Sequence, residues 1–195
     1  VDHDTVDLTN LQRQIAHGTE RVGQPKVLSA AAAVRTLNPD VHVNTVQQRA
    51  DAAFLAEWVP QADVVIDCSD NFATRQAVNA ACVAAGVPLV SGAAIGFDGQ
   101  ISVWDRRPGR DTPCYACLFP PDAVVPEVAC ATMGVFAPLV GIIGTMQASE
   151  ALRLLLGIGR PLAGRLQLLD GRSMEWTEMG VARNPACPVC GDRHG

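Results

Sequence analysis

Behind Pro25, apolar residues return at helical spacing: Val27, Ala30, Ala31, Val34 and Leu37 share one face of a predicted helix. Proline suits the first helical turn, where its missing N–H is not needed. Asn38-Pro39 ends the run, because the residue before a proline is turned away from helical backbone. Ahead of this helix, Val1 to Asp4 reads as the end of a strand, and a polar, irregular stretch follows to Gln24. Val41 to Val46 is expected as a short strand and Ala52 to Val59 as a helix. Asp63-Val64-Val65-Ile66-Asp67 is a continuous apolar run with acidic ends, the pattern of a parallel strand buried on both faces. Ser69 or Asp70 can cap the next helix, which runs to about Ala85, with Gly86 as its C-terminal cap.

Val87 to Val90 predicts another strand, and Ser91-Gly92-Ala93-Ala94 a tight turn of small residues. Gln100 to Trp104 alternates like a strand. Residues 105–130 read as loop, interrupted by Pro108, Pro113, Pro120, Pro121 and Pro126. A long helix follows from Val135 to Leu156, then a hairpin, Arg165–Leu169 and Met174–Met179, turning at Asp170-Gly171. Strands alternate with helices in the first half, and antiparallel pairing is expected later. The predicted class is α/β: a Rossmann-like, doubly wound mixed sheet with a C-terminal antiparallel extension.

Composition narrows the function. The chain has 195 residues, 48% hydrophobic, with a net charge of −5. That suits one globular domain with a sizeable core and excludes disorder as the main state. The acidic balance and the lack of a basic run argue against nucleic acid as a partner. The long apolar helix carries Gln147, Ser149, Glu150 and Arg153, so a core helix is expected rather than a membrane span. No signal peptide opens the sequence, and a cytoplasmic protein with no membrane partner is expected. Lys26 is the single lysine among 15 Lys and Arg residues.

Seven cysteines are too odd a set for a secreted disulfide framework. Four of them form Cys114-Tyr-Ala-Cys117 and Cys187-Pro-Val-Cys190. Each pair presents two thiolates from one turn, and two turns complete the tetrahedron of a structural zinc site, with an iron–sulfur cluster as the chemical competitor. Cys68 and Cys82 flank apolar positions and are expected in the core.

A second constellation points to nucleotide chemistry. Asp67-Cys-Ser-Asp70-Asn71 falls where an inner strand ends, and ligands of open α/β sheets bind at the carboxyl ends of strands. A carboxylate there can hold magnesium. Asp2, at another strand end, can accept ribose hydroxyls. Arg13 and Lys26 offer a fork and a point charge to phosphate. Singly, each is as readily a capping or surface residue. No Gly-x-Gly-x-x-Gly occurs; Gly92, Gly96 and Gly99 have other spacing.

Together these pieces resemble the MoeB/ThiF/HesA adenylyltransferases, relatives of ubiquitin-activating enzymes. The resemblance rests on Asp2-x-Asp4, Asn10-Leu-Gln-Arg13-Gln14, Gly23-Gln-Pro-Lys26 and Asp67-Cys-Ser-Asp70-Asn71. Further matches are Pro88-Leu-Val-Ser-Gly-Ala-Ala94, Gly99-Gln100, Gly134-Val-Phe-Ala-Pro138 and both cysteine pairs, so it spans essentially the whole chain. It implies ATP-dependent adenylylation of the C-terminal Gly-Gly carboxylate of a ubiquitin-fold sulfur carrier protein, ahead of thiocarboxylate formation in molybdopterin, thiamin or related biosynthesis. By motif, Asp2 would hold the ribose. Asn10, Arg13 and Lys26 would contact the phosphates, Asp70 would place magnesium, and Gln14 and Asn71 would lie near the nucleotide. Cys130 is either a thiol for covalent sulfur transfer or inert. The resemblance also implies a homodimer and a separate sulfur donor. The chain is expected as a single adenylyltransferase domain over 1–195, without the family's N-terminal glycine-rich segment, its zinc-bound loop and tail at 114–117 and 187–190. Two other readings compete: a non-catalytic, zinc-stabilised scaffold for a ubiquitin-like partner, and a nicotinamide-dependent dehydrogenase.

Overall fold

The computed structural model describes residues 1–123 and 134–192. The chain divides into two compact units, Val1–Ala50 and Asp51–Gly195. In the first, short 3-10 turns at Leu8–Asn10 and Thr19–Arg21 precede helix α1, Lys26–Leu37. Asp7 caps the first turn, taking the Thr9 N–H at 2.7 Å, and Asn10 returns a bond to the Asp7 N–H at 3.3 Å. Pro25 sits at the N-cap of α1 and Asn38 at its C-cap, as the sequence predicts. Val27 and Ala31 are buried, whereas Leu37 at the end of the expected face is 86% exposed. The strands expected at Val1–Asp4 and Val41–Val46 are not formed. The Asp2 N–H reaches the Val46 carbonyl at 3.2 Å, but a ladder needs repeated pairs.

In the second unit, helix α2 covers Ala52–Trp58, strand β1 Val65–Asp67, helix α3 Phe72–Ala85, strand β2 Leu89–Ile95 and strand β3 Asp98–Trp104. Then come a short helix α4, Tyr115–Leu118, a long helix α5, Ala137–Leu156, and strands β4, Arg165–Asp170, and β5, Glu175–Gly180. The five strands lie in sequence order. β1 and β2 are parallel, joined through α3, and every later neighbour is antiparallel. The architecture is thus α/β with a mixed sheet. Asn71, not Ser69 or Asp70, caps α3, accepting the Thr74 N–H at 2.8 Å. Gly86 closes the helix at φ 66°, a left-handed conformation that glycine adopts without strain.

The expected turn at Ser91–Ala94 is instead the body of β2. Gly92 and Ala94 are small because α5 lies on them. A Cβ at Gly92 would come within 2.4 Å of the Gln147 amide, and one at Gly99 within 2.9 Å of Ile143. Val90, Ile101 and Val103 pack with Ala151 and Leu154 of α5, and Leu169 with Leu139 and Ile143. Ser91, pointing the other way from Gly92, meets Arg75 of α3, so α3 and α5 cover opposite faces of the sheet. α5 is long and apolar enough to cross a membrane by length and composition. Its inward stripe, however, includes Gln147 and Glu150, both 3% exposed and hydrogen-bonded to the protein.

Candidate functional site

In the first unit the predicted phosphate and ribose residues fall into two hydrogen-bonded groups, Asp2–Asp4–Lys26 and Asn10–Arg13–Gln14. Lys26 Nζ lies 2.9 Å from Asp4 Oδ2, and its N–H donates to the Asp4 carbonyl at 3.0 Å. Asp4 N–H in turn donates to Asp2 Oδ1 at 2.9 Å. The hydrogen bond and charge of Lys26 outweigh partial burial and hold the Asp4 carboxyl below its ordinary range. Asn10, Arg13 and Gln14 share one turn: the N–H groups of Arg13 and Gln14 both reach the Asn10 carbonyl, at 3.1 and 2.9 Å. Arg13 is further held by Nη1 donating to the Thr9 carbonyl at 3.3 Å. Gln14 Oε1 is buried and, among the described residues, accepts no hydrogen bond, so it is free for a donor from a ligand. Asp4 did not stand out in the sequence except as the second acid of Asp2-x-Asp4; its role comes from its contact with Lys26.

In the second unit, Asp70 and Asn71 lie three and four residues past the end of β1. Asn71 is engaged as the cap of α3. The Asp70 carboxylate is exposed and has no hydrogen bond or ion pair among the described residues, as a single carboxylate ligand of a phosphate-bound magnesium would need. Cys82 lies in the core at 2% exposure; Cys68 is exposed at the end of β1, its Sγ 3.5 Å from Gln147 Oε1. Cys130 lies outside the described residues.

The cysteine pairs converge. Sγ of Cys114 lies 4.0 Å from Cys117 and 3.7 Å from Cys187, and Cys117 lies 3.4 Å from Cys190. All four sulfurs fall within 4.8 Å of one another. Four thiolates around one zinc at about 2.3 Å are expected to sit about 3.8 Å apart, so the donor set fits that ion. Burial pushes the Cys114 thiol up, and neighbouring cysteines add to the shift. At Cys187 burial acts the same way, but N–H donors of Cys190 and Val189 reverse it and lower the thiol. Two further donors meet the cluster: Asn79 Nδ2 at 3.7 Å from Cys114 and the Asn184 N–H at 3.4 Å from Cys117. A close backbone approach explains Gly191, where a Cβ would meet the carbonyls of Cys187 and Pro185 at 2.5 Å.

The profile of the ThiF family matches residues 1–189. The chain belongs to the ThiF family. It is 47% identical over 190 residues to the "Sulfur carrier protein ThiS adenylyltransferase" of Escherichia coli (strain K12), covering 97% of this chain and 74% of that protein. It is 46% identical over 194 residues to the "Molybdopterin-synthase adenylyltransferase" of the same organism, covering 98% and 76%. Among solved structures, E. coli MccB with ATP superposes with a TM-score of 0.81 at 22% identity, over 97% of this chain and 57% of that one. That likeness shows the fold. These ThiF-family relatives are named adenylyltransferases, which are nucleotidyltransferases, and the chain is a domain of that enzyme class.

Proposed function

We propose that this domain adenylylates the C-terminal glycine carboxylate of a ubiquitin-fold sulfur carrier protein, using ATP and magnesium, as a step toward a thiocarboxylate in molybdopterin, thiamin or related biosynthesis. The supporting observation is identity of 46–47%, over nearly the whole chain, to enzymes named for carrier activation or molybdopterin-synthase adenylylation. In the reaction a carboxylate oxygen attacks the α-phosphorus, the α–β phosphoanhydride bond breaks, and pyrophosphate leaves. The barrier falls through positioning and charge neutralisation rather than covalent help from the protein.

The residues divide that work. Asp2 accepts ribose hydroxyls. Asn10, Arg13 and Lys26 hold phosphate oxygens, with Asp4 orienting Lys26. Asp70 offers its free carboxylate to magnesium, and Gln14 and Asn71 border the nucleotide. Cys114, Cys117, Cys187 and Cys190 hold a structural zinc that ties the tail to the loop before α4. Cys130 is assigned the sulfur-transfer thiol. A homodimer, a separate sulfur donor and a cytoplasmic location, where thiols stay reduced, complete the reading.

ATP–pyrophosphate exchange with the cognate carrier tests it. Wild-type protein is expected to exchange, and Asp70→Ala to lose exchange while keeping its zinc. Absence of exchange with carrier and magnesium present would overturn the reading, and carrier binding without turnover would favour a scaffold. Full activity in Asp70→Ala would overturn the role given to Asp70.

A further inference from the structure

The free acid Asp70 stands on a segment that is clamped on every other side. Arg75, one turn into α3, is the principal clamp. Its side chain is 10% exposed. Nη2 donates to the Ser69 carbonyl and, at 3.1 Å, to the Gly92 carbonyl of β2; Nη1 donates to Ser91 Oγ at 3.3 Å. Other bonds complete the brace. Asp67 Oδ1 takes the Ser69 N–H at 2.8 Å, and Gln147 Nε2 reaches the Asp67 carbonyl from α5 at 2.8 Å. The Arg75 N–H returns to the Asn71 carbonyl at 3.3 Å. From Asp67 to Asn71, the Asp70 carboxylate and the Ser69 hydroxyl make no hydrogen bond among the described residues, and of the two the exposed one is Asp70.

The chemistry of the bonds says what the guanidinium is for. A buried cation placed to neutralise a carboxylate sits close to it, with short bidentate bonds. Here the nearest carboxylate oxygen, Asp67 Oδ2, is 3.9 Å away and accepts no hydrogen bond among the described residues. The close contacts are two carbonyls and a hydroxyl, drawn from the Asp70 segment and from β2, with the Tyr115 phenol of α4 also engaged by the guanidinium. A planar fork can join acceptors on two elements at fixed angles, which a lysine ammonium cannot. Burying a charge is costly unless its donors are used, and these donors are used to hold one loop.

We propose that Arg75 is a positioning residue for adenylyl transfer: by fixing the Ser69 carbonyl against the body of β2 it sets the Asp70 carboxylate, one residue on, where the metal–nucleotide complex is bound. This rests on the reading of Asp70 given above.

The experiment compares wild-type, Arg75→Lys, Arg75→Ala and Ser91→Ala proteins in ATP–pyrophosphate exchange across a magnesium titration. Manganese bound in the presence of ATP is measured alongside by electron paramagnetic resonance. Loosening supports around a metal ligand typically costs 10–100-fold in affinity or activity. Arg75→Lys is expected to need about 10-fold more magnesium for half-maximal rate and to bind manganese correspondingly more weakly, with the KM for carrier unchanged. Added guanidinium is expected to restore part of the Arg75→Ala rate. Ser91→Ala, which removes one hydroxyl and keeps the charge, is expected to shift the magnesium requirement two- to threefold (~0.4–0.7 kcal/mol at 1.4 kcal/mol per tenfold). Wild-type magnesium and manganese dependence in Arg75→Lys and Ser91→Ala would overturn the proposal. So would a loss equal at every magnesium concentration and not rescued by guanidinium, since that is the behaviour of a fold support alone. A silent wild-type protein would overturn the functional reading itself.

Discussion

Asn79 Nδ2 lies 3.7 Å from the Cys114 sulfur while Asn79 Oδ1 accepts the Tyr115 N–H at 2.9 Å. This fully buried amide ties α3, whose first turn carries Arg75, to the first cysteine loop. Asn79→Ala would leave the Tyr115 N–H stranded in the interior, at a cost of about 1–3 kcal/mol. Thermal unfolding should record a fall of roughly 2–4 °C per kcal/mol in a chain of this size. Competition with a chromophoric chelator should show zinc held about 10–100-fold more weakly. Unchanged metal affinity would limit Asn79 to the Tyr115 contact.

Arg183 acts on the other cysteine turn. Its Nη2 donates to the Cys190 carbonyl at 2.9 Å and pairs with Asp192 Oδ1 at 2.6 Å, and its Nη1 lies 3.4 Å from Asp111 on the loop before Cys114. It therefore folds the tail turn on itself and hooks it to the opposite loop independently of the sulfurs. Arg183→Ala should release zinc to a chelator about tenfold faster, with Asp111→Asn giving a smaller effect because that carboxylate is 83% exposed. Equal release rates in all three proteins would mean that the thiolates alone assemble the site.

Gly92 is required by packing rather than by backbone conformation. Gly92→Ala drives a methyl into the Gln147 side chain, 2.4 Å away, and overpacking of this kind costs about 1–3 kcal/mol. Gln147 also holds the Asp67 carbonyl, so it cannot simply swing aside. In urea unfolding, Gln147→Ala should recover part of the loss in the double variant, a coupling expected for residues in contact. Additive losses would show that the clash relaxes elsewhere.

These residues separate what was legible in the sequence from what was not. Helices α1 and α3 were readable because apolar period and end signals agree: Pro25 and Asn38 for one, Gly86 for the other. The convergence of the cysteine pairs was readable because Cys-x-x-Cys spacing puts two thiols on one turn. The run Ser91-Gly92-Ala93-Ala94 was not, since small residues mark a turn and a strand beneath a helix equally well, and the deciding side chain, Gln147, comes from another element. Arg75, Asn79 and Arg183 were silent for the same reason: each looks like an ordinary polar residue until its distant partner is in place. Val41 to Val46 has the composition of a strand, but strand pairing depends on a neighbour that no local pattern supplies.

Asp105 gives a pH-dependent prediction. It is fully buried at the end of β3, where the loop toward Cys114 begins. Arg107 grips it with two bonds, Nε to Oδ1 at 2.8 Å and Nη2 to Oδ2 at 2.7 Å, and Arg110 Nε adds a contact at 3.1 Å. Burial raises the carboxyl's pKa, but the Arg107 bonds and the charges of both arginines more than offset this and hold it below the ordinary carboxylate value. A group with a depressed folded pKa contributes stability that is present above its unfolded value, about 3.9, and lost as pH falls through the folded one. Asp105→Asn should therefore cost about 3 kcal/mol at pH 7, toward the lower end for a broken buried pair because both arginines reach solvent. As pH falls below about 4 the gap between the two proteins should narrow, because the unfolded wild-type carboxyl takes up a proton before the folded one does. Urea unfolding at pH 7, 5, 4 and 3 measures this, and comparing the two proteins at each pH cancels the acid sensitivity of the cysteine cluster. A gap of constant size across that range would assign Asp105 to packing rather than charge.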